Sequence, residues 1–271
     1  MAMQRWIHLA GVILGIVLSG VHSVSAHDTW VEANTNVVRA GDSVLIDLKL
    51  GNHGNDHRDF KIAGKVGLEA CTLEMVMPNG IHLDLLPNLV DQGYAPNEGY
   101  WSTKFSTRFA GTHLVAHTFD KVVNHGRPTR SIKSAKTFFL TGLLLDRLKD
   151  DSTLWKQPLG HPLEIVPVSH PVLWTGPGMP IEVQVNWKGQ PLPEARVSFI
   201  PQGTELKPEF DETYERRTGA DGRATFTPKA GNRYLIVTHQ TVDEEQGTDY
   251  QRTSYAATLQ LLVSDLCPCC Q

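Results

Sequence analysis

The densest set of metal-ligand side chains in this sequence is Gly51-Asn52-His53-Gly54-Asn55-Asp56-His57-Arg58-Asp59, which places two imidazoles, two carboxylates and two amides within nine residues. Glycine lets so short a backbone fold tightly enough for His53 and His57 to face one ion. The same residue types also make an ordinary solvated turn. A Ca²⁺ site using Asp56, Asp59 and asparagine carbonyls is a third option, although the spacing departs from the EF-hand pattern. Thiols form a second group: Cys71 stands alone, and Cys267-Pro268-Cys269-Cys270 nearly closes the sequence. In an oxidising compartment they can pair, tying the tail to Cys71, while adjacent Cys269 and Cys270 rarely bridge each other. Reduced, the tail offers thiolates to Cu(I), Ni²⁺ or Zn²⁺, and an exposed oxidisable tail is the bland alternative.

A third candidate depends on processing. Arg5 is followed by an apolar run from Ile7 to Val21 and then by Val24-Ser25-Ala26, small residues of the kind a signal peptidase reads. The run is shorter than the roughly 20 apolar residues of a spanning helix, and no other segment is long enough. Residues 1–26 therefore read as a secretory signal, which predicts a periplasmic or secreted protein without a transmembrane anchor. Cleavage after Ala26 removes 26 of the 271 residues and leaves 245. It takes His8 and His22 from the 12 histidines and moves the formal charge from -4 to -5 by removing Arg5. His27 then becomes the N-terminal residue, whose α-amine and imidazole can chelate one cation in the manner of a histidine brace. Trp30 favours an ordered terminus over a frayed one.

Among the other histidines, His113 and His117 share one face of a strand but lie roughly 13 Å apart at ~3.3 Å per residue, too far to hold one ion together. His239 ends a strand of the second half, from which it could approach His27. His82, His125, His161 and His170 read as surface or turn residues. Amine and imidazole ligands suit Ni²⁺, Co²⁺, Cu²⁺ and Zn²⁺ alike.

The elements that position these residues follow period two almost throughout, which makes the fold all-β. Val44, Ile46, Leu48 and Leu50 alternate with Leu45, Asp47 and Lys49, and further strands are expected at Thr72–Met77, Ile81–Leu85, Tyr100–Thr107, Thr112–Phe119 and Ser131–Leu140. Pro78-Asn79-Gly80 is a hairpin signal, because Asn-Gly supplies positive φ angles. Residues 27–141 form an expected N-terminal Ig-like sandwich. Residues 142–160 form a linker with a short helix where Leu144, Leu145 and Leu148 fall at helical spacing. Residues 161–264 form a second sandwich, with strands at Leu163–Pro167, Ile181–Trp187, Arg196–Ile200, Ala224–Thr227, Tyr234–His239 and Ala256–Val263, and residues 265–271 are a Cys-rich tail.

Lys188-Gly189-Gln190-Pro191-Leu192-Pro193 and Thr218-Gly219-Ala220-Asp221-Gly222-Arg223-Ala224-Thr225-Phe226 resemble the carboxypeptidase-regulatory or transthyretin-like sandwich, a mostly non-catalytic module. Over nearly the whole mature chain the sequence resembles the secreted NikM-like family of unknown-function domains. That likeness rests on His27-Asp28-Thr29-Trp30-Val31-Glu32, Arg39-Ala40-Gly41-Asp42, Pro162 to Pro167, Asp221-Gly222-Arg223, Tyr234 to His239 and Ser254 to Leu259. The resemblance implies a role beside nickel or cobalt uptake, with a metal ion and a membrane transporter as partners, and carries over His27 and His239 by position.

The negative charge argues against nucleic acid. No nucleophile elbow, phosphate loop, dinucleotide fingerprint or zinc-protease motif is present. The expected function is non-catalytic handling of Ni, Co or Cu. The alternatives are a structural or protein and glycan interaction module without metal, and a copper-dependent oxidase. The N-terminal histidine and a second imidazole are also the ligand set of lytic polysaccharide monooxygenases, whose fold is a single sandwich.

Overall fold

A computed structural model describes residues 27–51, 59–124 and 126–265. Strand and turn account for nearly all of them. In chain order the strands are β1 (Asp28–Ala33), β2 (Val37–Arg39), β3 (Ser43–Gly51), β4 (Ile62–Gly64), β5 (Cys71–Val76), β6 (His82–Asp84), β7 (Val90–Asp91), β8 (Trp101–Ser106), β9 (Gly111–Asn124) and β10 (Pro128–Gly142). The second half contributes β11 (Leu163–Pro167), β12 (Ile181–Trp187), β13 (Gln190–Pro191), β14 (Arg196–Pro201), β15 (Glu215–Arg217), β16 (Arg223–Phe226), β17 (Asn232–Val242) and β18 (Thr253–Val263).

One nine-stranded sheet runs through both halves in the order β15-β14-β17-β18-β10-β9-β5-β6, with β2 also paired to β10. The join is the parallel pairing of β10 with β18, from Arg130 opposite Thr253 to Thr137 opposite Gln260. A five-stranded sheet, β1-β3-β8-β7 with β4 on β3, covers one face, and a four-stranded sheet, β11-β12-β13 with β16 on β12, covers the other.

Alternation along the central strands sorts the side chains between two cores. Val115, Phe119, Ala135 and Phe139 meet Val31, Ile46 and Leu48 of the five-stranded sheet. Leu114, Phe138, Leu140 and Leu259 meet Ile165, Val183 and Phe226 of the four-stranded sheet. A smaller cluster seats Trp30 and Phe60 against Ile200, Leu235 and Val237.

The sequence reading of two successive sandwiches differs from this arrangement, because the halves share a sheet. Nor is the expected helix in residues 142–160 present: Leu143, Leu144 and Leu145 are exposed in a turn, and the segment's one regular piece is a 3₁₀ turn at Leu154–Lys156. Without a surface to cover, helical spacing of three leucines does not stabilise so short a helix. The turn signals translate directly. Gly80, at φ +80°, closes the β5–β6 hairpin. Lys188 and Gly189, both at positive φ, close β12 onto β13 as the tight hairpin turn requires.

Most charged and polar groups inside the layers are paired, with His113 Nε2 and Gln260 Nε2 among the exceptions. Lys136 on β10 donates to Glu164 on β11, both side chains being almost fully buried. Glu164 also accepts the backbone N–H groups of Leu159 and Gly160. His117 spends both ring nitrogens, Nδ1–H donating to the Thr72 carbonyl at 2.7 Å and Nε2 accepting from the Thr29 hydroxyl at 3.1 Å. His113 stacks on Phe139 at 4.7 Å and uses Nδ1 on the Gly111 carbonyl.

Two outcomes are expected. Glu164→Gln keeps an acceptor for the backbone N–H groups but leaves Lys136 buried without its counter-charge, at a cost of about 3–5 kcal/mol. Adding Lys136→Met to that variant should recover much of the loss; chemical denaturation of the three proteins checks this. Burial also pushes His113 and His117 down to about 4, against an ordinary value of 6.5. The unfolded chain therefore takes up protons that the fold refuses. Stability is complete above pH 6.5 and falls as the pH drops from there toward 4, by about 2–3 kcal/mol per histidine. Urea denaturation at about pH 7.5 and about pH 4.5 measures it, and equal stability at the two would contradict burial of neutral imidazoles.

Candidate functional site

The candidate site is built where the chain's first described residues are clamped. β1 is paired antiparallel with β3 and lies over β10 and β18, so Asp28, Thr29 and Trp30 are all buried although they follow directly on His27. Three contacts fix this corner. Thr258 Oγ1 donates to the Thr29 carbonyl at 2.8 Å. Lys133 of β10 donates through Nζ to the carbonyl of His27. Nε2–H of His239, on β17, donates to the Asp28 carboxylate, 3.0 Å from each oxygen.

Glycine at position 51 is part of the same construction. A Cβ there would come within 2.2 Å of the Trp30 ring and of the Lys61 carbonyl, so only glycine lets the indole lie against β3. Trp30 in turn faces Phe60 at 5.2 Å and donates Nε1–H to Glu32 at 3.2 Å.

His27 and Thr29 line a cavity of about 220 Å³ with Phe119, Lys133, Lys65 and Lys121. Two of these lysines are ion-paired, Lys65 with Asp91 at 2.5 Å and Lys121 with Glu69. Lys133 is buried. Burial pulls its ammonium below the ordinary lysine range, and the nearby Asp28 charge works in the opposite direction. The arrangement supplies one imidazole at the wall of a half-open cavity, a second held by a carboxylate, and a polar strut that fixes the main chain of residue 27.

The structure treats the sequence candidates differently. His239 does reach the start of β1, as expected, but its recorded partner there is Asp28. His53 and His57 lie outside the described residues. The segment that carries them departs from Gly51, the register partner of Asp28. Cys267, Cys269 and Cys270 also lie outside the described residues. Cys71 is a free thiol, half-buried, with Sγ 3.3 Å from the Gly67 carbonyl. Burial pushes that thiol up to about 12, so it is a poor ligand and a poor nucleophile at neutral pH. Among the described residues no three His, Cys, Asp or Glu side chains converge as a metal cage, and no helix is long and apolar enough to cross a membrane.

Lys133 and Asp28 were not singled out by residue type. A lysine inside a strand reads as a solvent-facing position, and nothing local says that both faces of β10 are covered. His170, expected as a surface or turn residue, stands at the start of a turn but is buried and bonded to Asp150 at 3.1 Å.

No curated protein matches the sequence. Among solved structures, the D0–D1 domain of intimin is 12% identical over 87% of this chain and 97% of that one, with a TM-score of 0.21. The Yersinia pseudotuberculosis adhesin InvE is 10% identical over 85% of this chain and 58% of that one, at 0.23. A DUF4785 family protein from Legionella pneumophila is 11% identical over 77% of this chain and 52% of that one, at 0.29. This chain thus spans little more than half of the last two, and at such scores the likeness carries no function to it. A family model described as a domain of unknown function, DUF4198, matches residues 24–242. That match covers most of the sequence, and the protein belongs to the DUF4198 family.

Proposed function

We propose that this is an exported protein, periplasmic or secreted, that binds a divalent transition metal ion at its processed terminus and serves nickel, cobalt or copper uptake or handling without catalysing a reaction. The observation that carries the reading is the buried Asp28 carboxylate gripping Nε2–H of His239 one residue from His27. Metal-ligating histidines characteristically give their second ring N–H to a carboxylate, which fixes the tautomer and strengthens the remaining nitrogen as a donor.

His27 supplies the other donors. Cleavage after Ala26 creates an α-amine that forms a chelate with the imidazole of the same residue, a pair that suits Ni²⁺, Co²⁺ and Cu²⁺. The Lys133 contact to the His27 carbonyl holds that residue at the cavity wall, so the chelate would start from a main chain already in place. A site that depends on the new amine need not present three converging side chains. The NikM-like character of residues 27–32, with the ion's passage to a membrane transporter, belongs to the same proposal and is supported by the Ala26-His27 junction.

The test is titration of the exported protein with Ni²⁺, Co²⁺ and Cu²⁺ by calorimetry, beside N-terminal sequencing and metal analysis. One extra residue ahead of His27 should abolish stoichiometric binding. Asp28→Asn should weaken it by about 10- to 100-fold. Unchanged affinity in both variants would sink the terminal-chelate reading.

A further inference from the structure

On the four-stranded sheet side, away from the cavity at residue 27, the turn joining β11 to β12 carries an indole into solvent. Trp174 is 60% exposed, whereas Trp30 is buried and Trp101, Trp155 and Trp187 are each partly covered. The residues around Trp174 hold it firmly. His170 is buried, and its Nδ1 accepts the N–H groups of Val172 and Leu173 at 3.1 and 3.0 Å. Its Nε2–H donates to Asp150 Oδ2 at 3.1 Å. Val172 and Thr175 are fully buried on either side of the exposed ring, and Thr175 Oγ1 donates to the Val172 carbonyl at 2.9 Å. The backbone that carries Trp174 is therefore already ordered before any guest binds.

Trp174 borders a cleft of about 560 Å³, within the roughly 300–1,000 Å³ typical of small-molecule sites. A second indole, Trp155, lines it, tilted by 50° against the same His170 with the ring centroids 4.9 Å apart. The lining is mostly apolar, with Val168, Met179 and Pro180, and is interrupted by the hydroxyls of Ser152, Thr153 and Ser169 and the Asp151 carboxylate. This chemistry selects among guests. Asp151 disfavours an anion. Lys156 lies 6.0 Å over the Trp155 ring, already occupying that aromatic face with a positive charge, and disfavours a cation. What remains is a neutral guest with apolar faces to stack on indole and hydroxyl groups to meet oxygen acceptors.

We propose that this cleft is a saccharide site, in which a pyranose ring stacks on the exposed Trp174 indole and its hydroxyl groups hydrogen-bond Asp151, Ser152, Thr153 and Ser169. The site is independent of metal at residue 27. Calorimetry and tryptophan fluorescence of the exported protein with cellopentaose, maltopentaose and chitopentaose test it, with tetramethylammonium as the cationic control. Saturable binding of at least one pentasaccharide is expected. Trp174→Ala should weaken that binding at least tenfold without moving the melting temperature, since the ring is exposed, and Asp151→Asn should weaken it severalfold. Absence of saturable binding by all three sugars at millimolar concentration, equal binding by Trp174→Ala, or preference for tetramethylammonium would each overturn the assignment.

Discussion

Everything in this fold depends on β10 being covered on both faces. From Ser134 to Gly142 every residue of that strand is buried, while β9 pairs along one edge and β18 and β2 along the other. A strand so placed has no solvent side for its polar residues, so each must find a partner within a layer. Its two lysines do this in opposite directions. Three positions apart on a period-two backbone, Lys133 and Lys136 point to opposite faces. Lys133 takes the carbonyl at the head of β1 and Lys136 takes Glu164 on β11. One strand thereby fixes the first element of each covering sheet through a single charged contact apiece.

The candidate site follows from that constraint. Because β18 lies parallel beside β10, the surface under β1 includes residues from both halves of the chain: Lys133 from the first, Thr258 and His239 from the second. Asp28 and His239 are 211 residues apart in sequence. No fragment ending before β17 could assemble this corner. The same continuity keeps Trp30 dry, since its pocket is made by Ile200, Leu235 and Val237 of the second half.

Much of this was legible in the residues, for identifiable reasons. Strands whose sequence alternates because one face is open, such as Val44, Ile46 and Leu48 between Leu45 and Asp47, were found where expected, with the inner set buried and Leu45 nearly half exposed. Turns fixed by a positive φ at Gly80, Lys188 and Gly189 were equally plain. What sequence could not show was pairing between distant strands. Ser131–Leu140 was recognised as a strand, but nothing local distinguishes an edge from a centre, and the parallel partner lies more than a hundred residues on. For the same reason two sandwiches were expected where the halves share a sheet, and Lys133 and Asp28 were passed over at the site they help to build.

The histidines show why residue type alone is weak evidence for a metal site. His117 and His170 use both ring nitrogens on protein partners, His117 on a carbonyl and a hydroxyl, His170 on two backbone N–H groups and a carboxylate. These rings are struts: each ties segments that would otherwise bury unmet polar groups, and neither could bind a cation without breaking the contact that holds it. His239 differs in where it stands and in the kind of partner it has. Its Nε2 is spent on a buried carboxylate, the partner that most improves the other nitrogen as a donor. Its side chain is a third exposed, whereas His117 and His170 are buried. Deciding between strut and ligand therefore turns on the kind of partner the ring has and whether solvent reaches it, and both depend on the strand pairing that brings β17 beside the head of β1.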